Sequence, residues 1–178
     1  MEIGDQGYAV MTMIGLLGPS SAYDIERFLN RLAGEYWAAP HTQVYRECAQ
    51  LEEAGLVSAK QEKVGRRRRV FSLTKRGRDA LVSWVRTPTE RSIEIRDIAN
   101  LKLLASELST TEDVRELALA QVTAYDARLR ILDGIEDRYA ERPELSLRLQ
   151  NVAMGRALYQ AARGFWQRIA DEPPTIPS

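Results

Sequence analysis

Residues 62 to 78 read EKVGRRRRVFSLTKRGR. Four consecutive arginines, Arg66, Arg67, Arg68 and Arg69, follow Lys63, and Lys75, Arg76 and Arg78 come after them. A guanidinium stays charged at every accessible pH, and its planar fork of N–H donors fits two oxygens of a phosphate or carboxylate. The chemistry on offer is therefore the neutralising and gripping of anions. Residues 56–78 hold 9 basic and 1 acidic side chains, while the whole chain of 178 residues balances 25 Lys and Arg against 25 Asp and Glu. Residues 1–55 and 107–144 each carry a net charge of −5. Positive charge collected in one place within a neutral molecule is the footprint of a surface that faces a polyanion. A solvated surface loop is the plain alternative, and the flanking elements decide between the two.

Other reactive side chains are sparse. His41 is the only histidine and Cys48 the only cysteine, so the two cannot build a metal cage. They stand nearly two turns apart on one helical stretch, which does not suit a nucleophile–base pair. The sequence has neither a phosphate-binding glycine loop nor a nucleophile elbow. No enzymatic activity, metal or cofactor is expected. A lone cysteine allows no internal disulfide and suits a reducing compartment. The longest apolar run, Tyr8 to Gly18, is too short to span a bilayer. Glu2 and Asp5 stand before it where a signal peptide would carry Lys or Arg. A cytoplasmic protein without membrane segments is expected.

The elements around the arginines follow from apolar spacing. Val10, Met13, Ile14 and Leu17 recur at helical intervals over Asp5–Leu17, and Gly18-Pro19 ends that helix. Ser21 and Asp24 form a capping-box pattern for a second helix, which runs to about Leu32. A third helix follows Pro40 and ends at Gly55, with Val44, Cys48 and Leu51 on its buried face. His41, Thr42, Gln43, Tyr45, Arg46 and Gln50 are left on its outer face. Leu56–Lys60 and Val70–Thr74 alternate as two strands with Gly65 in the turn between them, and Thr74 caps a fourth helix ending near Pro88. Three helices, a hairpin and a helix are the order of a winged helix-turn-helix, whose third helix enters the DNA major groove while its hairpin reaches the backbone beside it. In this arrangement Lys63, Arg66, Arg67, Arg68, Arg69 and Lys75 hold phosphates. Thr42 and Gln43, in the first turn of the third helix, face the bases, and a shift of one residue in helix register would substitute His41 or Arg46.

Three stretches carry a family resemblance: GLLGPSSAYDIERFL at 15–29, TQVYRECAQLEEAGLV at 42–57 and GRRRRVFSLTKRGRDALVSW at 65–84. Together they resemble the PadR family of bacterial transcriptional regulators. Ala22-Tyr23 stands for that family's Gly-Tyr pair, Val44-Tyr45 for its Leu-Tyr pair, and Cys48 for the leucine that follows. The resemblance implies a DNA-binding regulator, most often a repressor, that occupies a roughly palindromic operator as a homodimer. It places Tyr23 and Tyr45 on the DNA side. Some such regulators respond to planar aromatic molecules, so a small aromatic effector is a further expectation. Trp37, Trp84 and Trp166 would line its cavity or, as the more ordinary reading, pack in the core.

The second half reads as helical. Ile93–Leu108 contains a short helix similar to the one following the winged domain in the longer, virulence-activator-like members of the family. Thr110 then opens a long helix with Ala118, Val122, Tyr125, Leu129, Leu132, Ile135 and Tyr139 on one stripe, and Arg142-Pro143 breaks it. The last helix, about Glu144 to Ala170, is apolar over a wide arc that includes Leu149, Val152, Leu158, Tyr159, Phe165 and Trp166. An arc of that width needs more than one packing partner, and a second subunit is expected to supply one. The alternative is cover by the first helix of the same chain. The expected organisation is mainly α: a winged helix-turn-helix with a two-stranded β wing (1–88), a helical dimerisation domain (89–172) and a flexible tail (173–178). A different function class stays open, in which the basic hairpin serves an interaction protein by binding RNA or an acidic protein partner.

Overall fold

The computed structural model describes residues 3–33, 37, 39–62 and 68–176. The chain divides into two compact units, Met1–Arg91 and Ser92–Ser178. No helix among the described residues is long and apolar enough to cross a membrane.

The first unit runs α1 (Asp5–Leu17), β1 (Ser20–Ser21), α2 (Ala22–Ala33), α3 (His41–Glu53), β2 (Val57–Gln61), β3 (Arg69–Leu73) and α4 (Lys75–Arg86). Its core joins Val10, Met11 and Ile14 of α1, Ile25 and Leu29 of α2, and Val44, Cys48 and Leu51 of α3 to Val57 and Phe71 of the strands. Full burial of an aliphatic side chain of this size contributes about 1.5–3 kcal/mol, so these contacts fix the three helices against the hairpin. The β2–β3 hairpin is the expected two-stranded wing, and β1 extends it to a three-stranded antiparallel sheet in the order β1-β3-β2. Ser20 and Ser21 pair with Phe71 and Val70. The hairpin register runs from Val57↔Leu73 to Gln61↔Arg69, each strand one residue away from the span its alternation suggested.

Local chemistry sets the boundaries. Ser21 Oγ accepts from the Asp24 N–H at 3.3 Å and donates to Asp24 Oδ2 at 2.6 Å, which opens α2. Gly55 lies in the left-handed region at φ 69°, and the Leu56 N–H closes back on the Leu51 carbonyl at 2.9 Å. This is the glycine-dependent C-terminal cap expected for α3. Thr74 Oγ1 accepts from the Gly77 N–H at 3.0 Å and donates to the Gly55 carbonyl at 2.8 Å, tying the start of α4 to the end of α3. Gly77 is buried against Leu56, and a Cβ built there would run into the Leu56 carbonyl oxygen. Trp84 is not in the core: it is 41 % exposed and stacks on Tyr8 with ring centroids 4.7 Å apart. Trp37 packs at the edge of the core and donates from Nε1 to Gln6 Oε1 at 3.1 Å.

The second unit holds α5 (Ile98–Ala105), a 3-10 turn at Ser106–Leu108, α6 (Thr111–Tyr139), a 3-10 turn at Pro143–Leu145 and α7 (Ser146–Asp171). Helix α5 starts later than Ile93 because Asp97 caps it, its carboxylate accepting from the Ala99 N–H at 2.8 Å. Thr110 and Asp113 form a complete capping box at the start of α6. Helices α6 and α7 run antiparallel. Arg163 Nε donates to Asp126 Oδ1 at 2.6 Å, and Arg156 Nη2 donates to Glu136 Oε2 at 2.7 Å. Trp166, expected on the partner-facing arc, is only 1 % exposed and lies edge-on to Phe165 in the core of its own subunit, with Ala118, Val122 and Tyr125. The α6 stripe that covers it comes from the same chain. Leu149, Val152, Tyr159 and Phe165 are half-buried, while Leu158 is 38 % exposed.

Candidate nucleic-acid interface

Helices α2 and α3 and strand β3 enclose a concave surface of about 700 Å³. Tyr23 and Arg27 reach it from α2, His41 and Tyr45 from α3, and Arg68 and Arg69 from the wing. The helical period brings these residues together. Tyr23 and Arg27 are four residues apart, as are His41 and Tyr45, so each pair shares a helix face. Tyr23 and Tyr45 are 47 % and 46 % exposed, unusually open for large aromatics on helices packed against a core. The His41 and Tyr45 rings lie 4.5 Å apart at their centroids.

Charge on this face is largely compensated. His41 Nδ1 is 3.4 Å from Glu26 Oε2. Arg68 Nη1 is 3.8 Å from Asp24 Oδ2, and the Arg69 guanidinium donates to Glu52. Arg69 also lies over the Phe71 ring, 5.5 Å from its centroid. Arg46 pairs with its neighbour Glu47 at 3.6 Å. Exposed pairs of this kind are worth about 0–1 kcal/mol, so a polyanion can displace the carboxylates at small cost. Burial pushes the Cys48 thiol up to about 12, with the Glu47 carboxylate adding to the effect. Cys48 is thus an inert core group, as its place on the α3 stripe implied.

Not every expected residue joins the groove. Thr42 and Arg46 are exposed on α3 and Gln43 is half-buried, but none of the three lines the concave surface. Lys75 lies at the start of α4 and pairs with Asp79 at 3.0 Å. Lys63, Arg66 and Arg67 lie outside the described residues. Two arginines of the basic run serve the fold: Arg76 donates to the Ala54 carbonyl at 3.1 Å, and Arg78 donates to the Leu73 carbonyl at 2.8 Å. Arg27 was missed in the sequence, although its spacing from Tyr23 is a usable signal. Among the described residues no cluster of His, Cys, Asp or Glu is placed to hold a metal ion.

Residues 10–83 match the model of the Transcriptional regulator PadR-like family. This stretch is a PadR-like domain. A relative, the Negative transcriptional regulator PadR of Bacillus subtilis (strain 168), is 25% identical over 126 residues, which are 68% of this chain and 69% of that one. Among solved structures, Bacillus subtilis PadR in complex with operator DNA matches at a TM-score of 0.81 and 20% identity, over 93% of this chain and 97% of the other. The same regulator in complex with p-coumaric acid matches at 0.74 and 19% identity, over 94% and 96%. The Vibrio cholerae virulence activator AphA matches at 0.70 and 25% identity, over 94% and 97%. These likenesses extend through both units, so the fold of the longer PadR-type regulators holds for the whole chain.

Proposed function

We propose that this PadR-like regulator binds double-stranded DNA as a homodimer and represses by occupying a roughly palindromic operator near a promoter. The observation that carries the reading is the convergence of Tyr23, Arg27, His41, Tyr45 and Arg68 on one concave face beside the outer side of α3. Phenol hydroxyls and guanidinium groups on such a face hold the sugar-phosphate backbone, and the polar first turn of α3 then meets base edges. The complex of Bacillus subtilis PadR with operator DNA supports the same assignment. In this reading residues 1–88 bind DNA and residues 89–172 pair the subunits. Exposed Leu147, Met154 and Leu158 on α7 support a subunit contact there, since they extend the apolar arc beyond the part that α6 covers.

A small planar aromatic effector is part of the proposal. The p-coumaric acid complex of Bacillus subtilis PadR supports it. So does an open, mainly apolar concavity of about 880 Å³ in the second unit, with Leu103, Val114, Phe165 and Ile169 in its wall.

The test has two steps. Genome-wide footprinting of the tagged protein in its native cell yields the operator. Fluorescence anisotropy then compares that duplex, a scrambled duplex and RNA of equal length at one salt concentration. Tightest binding to the operator duplex is expected. Preference for RNA, or equal weak binding to all three, overturns the reading and favours an interaction protein that uses its basic hairpin elsewhere.

A further inference from the structure

The geometry points to Arg27 as a phosphate-holding residue of this interface: among the described residues it is the one groove arginine whose charge is not already met by a carboxylate. This inference rests on the DNA-binding reading. Three described arginines line the concave face: Arg27, Arg68 and Arg69. Asp24 is paired with Arg68 and Glu52 with Arg69. Arg27 is exposed, and among the described residues it has neither a carboxylate partner nor a hydrogen-bond acceptor. Its neighbour on the same helix, Arg31, lies over the Phe28 ring, 5.8 Å from the centroid, and does not line the groove.

An arginine already paired must release its carboxylate before it grips a phosphate, so its net gain is the difference between two ion pairs. Arg27 exchanges only water and counterions for the phosphate. Its position one turn after Tyr23 puts a guanidinium and a phenol hydroxyl on the same face of α2, and His41 and Tyr45 form the opposite wall on α3. Two donors of different type on a rigid helix suit one backbone phosphate and carry no base information. Arg27 is therefore a positioning contact that fixes the duplex in register against the first turn of α3.

The test is the salt dependence of duplex binding by the full-length protein. Arg27→Gln, Arg27→Lys and Arg31→Gln are compared with the unaltered chain, using the footprinted operator and a scrambled duplex of equal length. Circular dichroism confirms that each variant is folded. Arg27→Gln is expected to weaken binding to both duplexes by similar factors, and to flatten the log–log salt slope by roughly one per subunit. Arg27→Lys should keep most of the slope, because it keeps the charge, and Arg31→Gln should change neither. Loss confined to the operator would make Arg27 a base reader, and no loss would remove it from the interface. Either outcome overturns the assignment. If the unaltered protein itself shows no salt-dependent preference for duplex over RNA, the DNA-binding reading fails, and the role of Arg27 fails with it.

Discussion

The Arg69 guanidinium donates to the Glu52 carboxylate, so the stem of the wing is ion-paired to the last turn of α3. The pair holds the wing beside the outer face of α3, and in the proposed DNA-binding reading it also masks a cation that a phosphate would otherwise meet. Glu52→Gln is expected to free Arg69 and strengthen binding to operator and scrambled duplex alike, by a factor of about two to five, the range of an exposed pair. The salt slope should steepen at the same time. Anisotropy titrations at three salt concentrations check this. Unchanged affinity would show that Arg69 faces away from the duplex.

Gly77 holds the seam between α4 and the connection from α3 to β2. A side chain there meets the Leu56 carbonyl oxygen, and backbone cannot yield as a flexible side chain can. Gly77→Ala is expected to destabilise the protein by about 3 kcal/mol, in the range of an overpacked core site. Gly134→Ala, where a Cβ meets nothing within 4 Å, should leave the fold intact. Urea unfolding of both variants gives the comparison.

These features were unequally legible in the sequence. Caps are written in adjacent residues, so Ser21 with Asp24, Gly55, Thr74, and Thr110 with Asp113 could be read directly. The third strand could not: Ser20-Ser21 is too short to alternate, and it exists only because β3 presents a free edge to it. The pairing of Arg68 with Asp24 and of Arg69 with Glu52 was equally hidden, since each joins elements far apart in the chain and depends on how the hairpin folds over α2 and α3. A wide apolar arc on α7 showed that two partners are needed, not which residues face which. The arc alone therefore assigns Trp166 to the subunit contact, whereas α6 of its own chain encloses it.

Cys48 should resist thiol reagents. Its thiol is pushed from the ordinary value of 9.0 to about 12, so at pH 8 its thiolate fraction is roughly a thousandfold below that of an unfolded chain. Labelling by a disulfide reagent is expected to proceed only as fast as the protein opens and to accelerate sharply in denaturant. The raised value also fixes the sign of the pH dependence. Its contribution to stability is complete below pH 9 and is lost as pH rises from there through about 12. Fast labelling of the native protein at pH 8 would contradict this burial.

The second unit should weaken in acid. Hydrogen bonds from Thr110 hold the Asp113 carboxyl below its usual range, those from Arg163 do the same for Asp126, and Arg142 does so for Glu144. A folded-state value below the unfolded one contributes stability above the ordinary carboxylate range, which is lost as pH falls through and below it. Unfolding temperatures recorded from pH 6 to pH 2.5 should therefore fall most steeply below about pH 4. Asp126→Asn should lower the temperature at pH 6 and shrink the acid-dependent drop. An equal drop in the variant would show that the Arg163 contact contributes nothing.

In the proposed DNA-binding reading, base reading falls to the first turn of α3, where Gln43 is half-buried and Thr42 is exposed. A Gln amide can donate to adenine N7 while accepting from its N6 amine, a contact worth about 1–3 kcal/mol of discrimination. Lys75 is a compact charge at the start of α4, paired with Asp79 across one helical turn, and it can grip a phosphate without reading any base. Gln43→Ala is therefore expected to weaken operator binding about tenfold or more and leave scrambled duplex nearly unaffected. Lys75→Ala should weaken both by the same factor. The two variants are compared by competing labelled operator against unlabelled scrambled duplex. Gln43 is less open than His41, Thr42 and Arg46, so the competing outcome has Arg46 meet the bases. In that case Gln43→Ala costs nothing, and Arg46→Ala carries the operator-specific loss. If neither variant separates operator from scrambled duplex, α3 is not the reading helix.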